Sequence, residues 1–258
     1  MSIRDPMSIR AIYRYPVKGL SAEDLPQVAL SPDRALPQDR RFAIARAPVR
    51  PGDPAVEGWQ PKSAFYQLQR DERLAQLQVA FDDDTDQLLL LRHGRQVAQG
   101  KAGDPLGRTL LTQFLTAFLA AAGQGAPRLV EAKGFAYTDA PDPLISLANL
   151  ASIADLERIV GRAVEPLRFR ANLYFEGAQA WEELKWIGRR IRIGGVVLEV
   201  ADAIERCAAT NVDPGTAARD LNLPLALQRG FGHCRMGVYL RVIEPGTVAL
   251  GDPLEVIA

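Results

Sequence analysis

The sequence is poor in the residues from which most protein metal sites are built. Only two of its 258 residues are cysteine and two are histidine. One bridge does not make a disulfide scaffold in a chain of this length, so we expect Cys207 and Cys234 to be free thiols. His93 and His233 are too few for a histidine-based metal site. Zinc sites built from His-Glu-x-x-His or from paired Cys-x-x-Cys motifs are excluded.

Long apolar runs and an excess of charge of one sign are also absent. No uninterrupted run reaches the ~18 apolar residues that a membrane-spanning helix requires, and residues 1–6 lack the apolar stretch of a secretion signal. The 31 basic and 31 acidic side chains cancel, so no net charge attracts nucleic acid or an anionic membrane. We therefore expect a cytoplasmic protein that binds neither, and that holds any charged ligand through local cations.

Motifs that mark several common enzyme classes are missing too. The chain has no glycine-rich phosphate loop and no Gly-x-Ser-x-Gly elbow, which excludes the usual nucleotide-binding and serine-hydrolase classes. Strands and helices do not alternate regularly, which disfavours a doubly wound nucleotide-binding fold.

What the chain does contain is the composition of a folded protein with many short strands. Hydrophobic residues make up 47% and charged residues 24% of the sequence, close to the average of globular domains. Short runs of β-branched and aromatic residues lie between glycine and proline turns. These runs predict strands at 9–15, 28–30, 41–45, 74–81, 88–92, 128–132, 167–175, 190–193, 196–200, 237–243 and 254–257.

Two segments have helical features. From Leu110 the apolar positions recur at helical spacing, and Gly123 is expected to end that helix. A second helix is predicted to begin at a cap formed by Asn149 or Ser152 and to end at Gly161.

Strands outnumber helices, which predicts a strand-rich α+β architecture with barrel-like sheets. A break of small residues at 123–127 separates two parts of the chain. We predict an N-terminal β-barrel-like domain at 7–125, packed on a second β-barrel domain with a few helices at 126–258.

The segment that follows the strand at 196–200 has the most suggestive chemistry. Cys207 lies there between Arg206 and a polar turn. A neighbouring guanidinium favours the thiolate, which is the form of cysteine that attacks or binds a metal. The residues leave a second interpretation open, because free cysteine is among the most buried residue types and Cys207 would then be inert.

Motifs in the second half of the chain resemble a known family. Arg-Cys-x-x-Thr-x-Val-Asp-Pro at 206–214 and Glu-Pro-Gly-Thr-Val-Ala-Leu-Gly-Asp-Pro-Leu at 244–254 resemble the MOSC domain, named for the C-terminus of molybdenum cofactor sulfurases. Phe-Arg-Ala-Asn at 169–172 is similar to the Phe-Arg-Pro-Asn of that family.

The first half continues this resemblance. Tyr-Pro-Val-Lys-Gly at 15–19 and Asp-Arg-Arg-Phe at 39–42 are similar to two signatures of the β-barrel domain that precedes MOSC. That arrangement is found in the mitochondrial amidoxime-reducing component and its bacterial relatives. The resemblance extends over residues 9–257, and motifs that occur in the same order are more specific together than any one alone.

The resemblance implies a molybdenum cofactor, in which one molybdenum is held by the dithiolene of a pyranopterin and by one protein thiolate. Cys207 takes the position of that metal ligand. A soft thiolate suits such a metal–sulfur centre. Asn172 is implied beside the metal as a hydrogen-bond donor, and both residues are candidate catalytic residues.

The phosphate of the pterin implies a set of cations around it. The resemblance assigns Lys18 and Arg40 from the first domain and Arg170 and Arg206 from the second, which places the ligand at the domain interface. Guanidinium groups suit phosphate through their planar donors, and lysine supplies a point charge. Without the motifs, each of the four would be interpreted as a partner in an ordinary surface salt bridge.

Three further cofactor-binding residues are implied. Gly19 replaces a serine of some relatives, so only its backbone N–H is expected to serve the phosphate. Ser146 belongs to a polar turn that meets the pterin in relatives. Tyr239 matches a position that lines the cofactor, with an ordinary core aromatic as the alternative. No family role is implied for Cys234, which is expected to be structural.

The function implied by the resemblance is a molybdenum-dependent oxidoreductase that reduces N-oxygenated small molecules, such as hydroxylamines, amidoximes or N-oxides. The sequence has no four-cysteine cluster motif, so an external electron donor is expected, such as a ferredoxin, a flavin reductase or a cytochrome b5-like protein. Two alternatives stay open. One is a sulfur carrier or transferase with a persulfide on Cys207, and the other is a cofactor carrier without turnover.

Overall fold

Strands account for most of the regular structure. The computed structural model describes residues 6–46, 58–120 and 126–257. Its strands are β1 (Ser8–Arg14), β2 (Glu23–Asp24), β3 (Gln27–Leu30), β4 (Phe42–Ala45), β5 (Leu77–Asp82), β6 (Gln87–Arg92), β7 (Arg95–Lys101), β8 (Arg128–Glu131), β9 (Ile145–Asn149), β10 (Leu173–Glu176), β11 (Arg190–Ile193), β12 (Val196–Glu205), β13 (Arg235–Glu244), β14 (Gly246–Ala249) and β15 (Leu254–Ile257). Its α-helices are α1 (Pro105–Leu119), α2 (Leu150–Val160) and α3 (Leu223–Phe231). The predicted strand-rich α+β class is confirmed.

The largest sheet has eight strands in the order β15-β11-β12-β13-β9-β10-β1-β2. Neighbouring strands are antiparallel, except that β9 and β10 run parallel. A bridge between Ser8 and Pro253 joins β1 to the residue before β15, and Leu254 N donates to Met7 O at 2.9 Å. The sheet therefore curls until strands near its two ends meet, which is how a barrel closes.

The inside of this curled sheet is the main hydrophobic core. Along β11, Ile191 and Ile193 are buried while Arg190 and Arg192 are exposed, the two-residue alternation of a sheet with one face in the core. Trp186 packs on the same core from the chain segment before β11. Other buried members of this core include Ile9, Ile12, Leu147, Leu173, Leu198, Val200, Val238 and Leu240.

A second core lies between a three-stranded sheet and α1. The sheet has the order β5-β6-β7, and Val79, Phe81 and Leu90 on it contribute to the same buried cluster as Leu111 and Leu115 on α1. The cluster also includes Val17, Phe42 and Val212, so it reaches the chain segments that follow β1 and β12.

The ranges 7–125 and 126–258 interleave in the sheets. From the first range, β1 pairs with β10 and β3 pairs with β14. From the second range, β8 pairs with β4. The division of the chain at residues 125 and 126 stays a prediction, and the pairing shows that strands of both ranges build the sheet that carries the site described below.

The helices begin and end at their capping residues, and the spacing of apolar residues marks these boundaries less closely. α1 begins at Pro105, earlier than its apolar pattern predicted, because the Asp104 carboxylate accepts from Leu106 N and Gly107 N and proline is favoured in the first turn. The predicted end of this helix at Gly123 lies outside the described residues. α2 is capped by Asn149 as predicted.

Gly161 ends α2 with φ 79°, also as predicted. The predicted strand at 167–175 is wrong in its first part, because Pro166–Phe169 form a 3-10 turn and Arg170 adopts φ 52°. Sequence patterns missed β7, which is largely polar and exposed. They also missed α3, which is capped by Asn222, carries Pro224 in its first turn and buries only Leu223 and Leu227.

Among the described residues, no helix combines the length and apolar character needed to cross a membrane.

Gly237 in β13 is expected to be irreplaceable. Its φ is +73°, and a Cβ there would lie 2.4 Å from Leu147 O. Gly188 has a similar φ of +82° with no atom within 4 Å of a Cβ position, so it isolates the backbone effect. We expect Gly188→Ala to lower the free energy of unfolding by about 1–2 kcal/mol and Gly237→Ala by clearly more. Denaturant titration measures both, and equal losses would contradict the importance of the close approach.

Candidate functional site

A cavity of about 440 Å³ opens where loops from both halves of the chain meet the end of the large sheet. Its volume lies in the range of small-molecule sites. All nine site residues predicted from the sequence line this one cavity: Lys18, Gly19, Arg40, Ser146, Arg170, Asn172, Arg206, Cys207 and Tyr239. The structure therefore brings together residues that are up to 221 positions apart in the chain.

The fold positions these residues through strand ends and the turns that follow them. Lys18 and Gly19 come just after β1, and Arg40 comes just before β4. Arg170 and Asn172 precede β10, and Arg206 and Cys207 follow β12. Ser146 lies within β9 and Tyr239 within β13, paired with each other across the sheet. The expected polar turn at Ser146 is thus a strand.

Cys207 is partly exposed and begins a short 3-10 helix at Ala208–Asn211. Its backbone carbonyl accepts from Thr210 N at 3.1 Å and from Thr210 Oγ1 at 2.9 Å. Among the described residues, its Sγ has no hydrogen-bond partner. The interpretation of Cys207 as a buried, inert residue does not fit a partly exposed thiol on the wall of a cavity.

Cys234 has different surroundings. Its Sγ lies 3.5 Å from Pro224 O and 3.6 Å from Gln228 Oε1, and it does not line the cavity. Both cysteines are free thiols. Cys234 therefore offers a matched control for substitutions at Cys207.

Lys18 reaches the cavity as a buried cation. Only 6% of the residue is exposed, and Nζ donates to Tyr137 O at 2.8 Å and to Asp139 Oδ1 at 2.6 Å. Burial lowers the pKa of the Lys18 amine, and the charges of Arg40 and Arg170 act in the same direction. The site thus concentrates positive charge around Lys18.

Asp139 is the carboxylate partner of Lys18 at the mouth of the cavity, with 54% of its side chain exposed. Desolvation opposes ionisation of this carboxyl group, but the charge of Lys18 and its hydrogen bond outweigh that effect and lower the pKa of Asp139 to about 2. The carboxyl group of Asp139 is therefore ionised at neutral pH. No motif predicted Asp139, since it lies 121 residues from Lys18.

Arg40 and Arg170 share one aromatic ring. The guanidinium carbon of Arg40 lies 4.6 Å and that of Arg170 lies 4.3 Å from the ring centroid of Tyr15. Tyr15 is 1% exposed, so the ring is a fixed support on which cation–π contacts hold both planes. Arg40 also pairs with Asp39 and donates through Nη2 to Arg170 O at 3.0 Å.

Both arginines adopt the left-handed backbone region, with φ of 50° at Arg40 and 52° at Arg170. That conformation costs an arginine about 1–2 kcal/mol, and such strain tends to occur at functional sites. Arg170 Nη1 donates to Leu20 O at 2.7 Å. Its buried Nη2 has no partner among the described residues, and burial lowers the pKa of Arg170 to about 10.

Arg206 is tied to backbone carbonyls rather than to an acidic side chain. Its Nε and Nη2 donate to Met236 O at 2.8 and 2.6 Å, and its Nη1 donates to Phe169 O at 2.7 Å. These bonds leave the guanidinium charge without a carboxylate partner in the described part of the chain. Arg206 therefore contributes positive potential beside Cys207, while most of its donors hold the backbone.

Asn172 and Ser146 form a buried hydrogen-bonded pair. Asn172 Oδ1 accepts from Ser146 N at 3.1 Å and from Ser146 Oγ at 2.8 Å. Asn172 Nδ2 donates to Tyr13 O at 3.2 Å, and since a carboxamide has two N–H donors, one remains. The pair joins β9 to the start of β10 and holds the Asn172 amide against the cavity.

Tyr239 and Gly19 complete the predicted set. The Tyr239 hydroxyl has no hydrogen-bond partner among the described residues; burial raises its pKa, and Arg206 and Cys207 interact with it electrostatically. Gly19 has φ +87°, and a Cβ there would lie 3.3 Å from Tyr66 O. The Gly19 N–H donates to no atom of the described residues, so it is available to a ligand.

The residues around the cavity fit an anionic cofactor that also needs one thiolate. Six basic side chains line it, the four predicted cations together with Lys62 and Arg168, against the four acidic side chains of Asp139, Asp142, Asp202 and Glu205. Among the described residues, Asp39 and Asp139 are the acidic groups that form ion pairs with the four predicted cations. The unpartnered Nη2 of Arg170 requires an acceptor, because a buried donor without one costs about 1–3 kcal/mol. The donor set for a metal is the single sulfur of Cys207, and the described residues contain no cluster of three or more further ligands.

Residues 136–255 match the MOSC domain family. The match includes Cys207 and the strands β9 to β14 of the large sheet. Residues 136–255 are therefore a MOSC domain, and the resemblance predicted from the motifs in this part of the chain is confirmed.

Curated relatives agree with this assignment. Mitochondrial amidoxime-reducing component 1 of Mus musculus is 31% identical over 134 residues, which cover 47% of this chain and 38% of that protein. The Homo sapiens protein of the same name is 30% identical over 47% of this chain and 39% of its own length. Molybdenum cofactor sulfurase of Drosophila erecta is 30% identical over 50% of this chain and 17% of that protein. The chain thus matches about two fifths or less of these relatives, and together they support a function related to the molybdenum cofactor.

The chain is also similar to solved structures. The YUAD protein from Bacillus subtilis is 13% identical, with a TM-score of 0.45 over 99% of this chain and 98% of that chain. YiiM from Geobacillus stearothermophilus is 21% identical, with a TM-score of 0.36 over 44% of this chain and 54% of that chain.

Proposed function

We propose that this protein is a molybdenum-cofactor-dependent reductase of N-oxygenated compounds such as hydroxylamines, amidoximes and N-oxides. The observation that carries the proposal is the cavity itself, whose wall contains the partly exposed thiol of Cys207 and six basic side chains, including the four predicted cations. The name amidoxime-reducing component supports this reaction class, and the name molybdenum cofactor sulfurase supports the coarser point of a function related to the molybdenum cofactor.

Cofactor binding is assigned to the residues whose donors are available. Lys18, Arg40 and Arg170 supply positive charge for the phosphate, with Arg170 Nη2 and the Gly19 N–H as donors that no atom of the described residues uses. Arginine forks suit phosphate oxygens. Cys207 supplies the thiolate that holds the metal.

When bound, the molybdenum cofactor supplies two-electron chemistry that removes an oxygen atom from the substrate. The chain itself positions the substrate. The remaining Nδ2 hydrogen of Asn172 donates to the substrate oxygen and polarises the N–O bond, and Asn172 keeps its orientation because Ser146 holds Oδ1. Tyr239 offers a hydroxyl donor on the opposite strand.

Electrons for this reaction are assigned to an external donor of the ferredoxin, flavin reductase or cytochrome b5-like class. The described residues hold no cluster of cysteine, histidine or acidic ligands that would bind a second redox metal. The sequence also lacks a dinucleotide-binding fingerprint. We place the reaction in the cytoplasm.

A sulfur-carrier function is the second candidate, because the Sγ of Cys207 has no hydrogen-bond partner among the described residues and is exposed enough to hold a persulfide. The two functions differ in metal content. Purified protein with about one molybdenum per chain supports the reductase, whereas cyanide-releasable sulfur without molybdenum supports the carrier.

The reductase proposal predicts which electron donors work. We expect molybdenum-replete protein to reduce benzamidoxime with a reduced viologen and not with NADH alone, because the sequence has no dinucleotide-binding fingerprint. Adding a ferredoxin or a flavin reductase from the same cell should restore the NADH-driven reaction. Product formation is followed by chromatography. Turnover with NADH by the isolated chain, or none with viologen, would count against the proposal.

A further inference from the structure

A second cavity, of about 560 Å³, lies behind the first. Of the nine predicted site residues only Gly19 and Arg170 line it, and Cys207, Lys18 and Arg40 do not. Its walls are largely apolar and are formed by Leu20, Ala22, Leu68, Ala75, Val79, Leu167, Val212 and Pro214. A concave apolar site of this size with a few polar groups is the usual form of a small-molecule site.

Arg168 provides the polar group on the wall between the two cavities. Only 3% of the residue is exposed. Its Nη1 donates to Asn211 O at 3.1 Å, and its Nη2 donates to Asp213 at 2.7 Å and Asp220 at 2.8 Å. Its buried Nε has no partner among the described residues. A donor buried to this degree is expected to have an acceptor, and a ligand in the cavity can supply one.

Charge decides which acceptor fits. Asp213 and Asp220 already compensate the charge of Arg168, and Asp213 lines the second cavity together with Glu165. The wall of this cavity also carries the guanidinium group of Arg170. An anion would still meet repulsion from the carboxylates of Asp213 and Glu165. A neutral acceptor, such as a ketone or amide oxygen, avoids that repulsion and still accepts from Nε.

We propose that the second cavity binds a small neutral compound with an apolar or aromatic body and one acceptor oxygen, which accepts a hydrogen bond from Arg168 Nε. Arg168 also holds Asn211 O, at the end of the short helix that begins after Cys207. The ligand therefore contacts the arginine that fixes this helix. The two cavities share Gly19, Leu68, Arg168 and Arg170 in their walls, and binding in the second does not depend on the reductase function.

Three probes of similar size test this site: acetophenone with a neutral acceptor, ethylbenzene without one, and benzoate with a charge. Ligand-observed NMR measures their affinity for the full chain. We expect saturable binding of acetophenone. Its affinity should be about fivefold higher than that of ethylbenzene, because the net contribution of one hydrogen bond changes an affinity by about this amount. Benzoate should bind more weakly than acetophenone.

Matched variants test whether the probe binds in the second cavity. Ala75 lines the cavity, whereas Ala80 is exposed on β5 and does not. Ala75→Phe should weaken acetophenone binding by about tenfold or more, because the ring occupies the space of the ligand, and Ala80→Phe should not change it. Thermal unfolding shows whether each variant is folded. If Ala75→Phe is not folded, Ala75→Leu is used in its place.

Cys207→Ala should leave acetophenone binding unchanged, whatever its effect on molybdenum content. The proposal would be overturned if acetophenone showed no saturable binding or if a folded cavity-filling variant bound it as well as Ala80→Phe. Benzoate as the tightest of the three probes would overturn the assignment of a neutral ligand.

Discussion

Cys207→Ala is expected to remove both molybdenum and N-hydroxy reduction from the protein, while Cys234→Ala leaves both largely intact. Cys207 is the cysteine whose sulfur faces the cavity with no hydrogen-bond partner among the described residues. A metal held by one protein sulfur loses its only protein bond in the variant, so the loss should exceed the roughly 10–100-fold effect of changing an outer-shell partner. Elemental analysis and viologen-driven reduction of benzamidoxime measure the two losses.

The pair of cysteines makes this comparison well controlled. Each variant removes one thiol, and neither breaks a disulfide, because both cysteines are free. Cys234 contacts Pro224 and Gln228 away from the cavity, so its loss tests general effects of thiol removal. Inactivation by Cys234→Ala, with Cys207→Ala active, would show that the metal ligand is assigned to the wrong residue. If the unsubstituted protein contains no molybdenum and Cys207→Ala loses a cyanide-releasable sulfur that the unsubstituted protein holds, the sulfur-carrier function is favoured.

The set of residues at the cavity was predictable from sequence because short motifs mark it. Lys18, Arg40, Arg170 and Cys207 all lie in motifs of four to nine residues, and each motif includes a turn next to a strand end. The conformation of a turn depends on its local sequence, so the residues of one motif lie close together wherever this fold forms. Where the turns meet is set by the sheet, and the β1–β10 pairing that joins the halves was not visible in the sequence.

Contacts between distant residues were not predictable. The ion pair of Lys18 with Asp139 spans 121 positions, and nothing in the neighbourhood of Asp139 marks it. Arg206 was expected to face a phosphate or the thiolate, yet its guanidinium is bound mainly by Met236 O and Phe169 O. That outcome depends on the close approach of Gly237 to β9, which is a property of the folded sheet rather than of the motif.

The same limits explain the secondary structure. β11 and β15 were predicted within a residue because β-branched residues alternate there between turns. The segment at 167–175 was assigned wholly to a strand, although Pro166 starts a 3-10 turn and Arg170 takes a left-handed conformation to reach Tyr15. The energy that holds Arg170 in place comes from long-range contacts, which no local pattern contains.

Lys18→Glu and Arg40→Glu are expected to yield folded protein that is depleted of pterin. Lys18 and Arg40 lie on the part of the cavity wall that residues before β4 contribute, whereas Cys207 lies on the part contributed by the second half of the chain. A ligand that both parts of the wall hold needs positive charge from each of them. Lys18→Glu also places a carboxylate next to Asp139, whose ionised state Lys18 now stabilises. An anionic phosphate would then face two negative charges where it now faces a buried amine.

Pterin content after extraction and thermal unfolding with and without added cofactor measure this effect. A ligand that binds only the folded state raises the unfolding temperature of the native protein, and the rise should be absent in both variants. Lys185→Glu makes the same charge change at an exposed position outside the cavity and should keep full pterin content. Lys18→Met removes the positive charge without adding a negative one, so it separates the loss of attraction for the phosphate from added repulsion. It also replaces Lys18→Glu if that variant does not fold. A folded Lys18 or Arg40 variant that retains full pterin would show that these cations do not hold the cofactor.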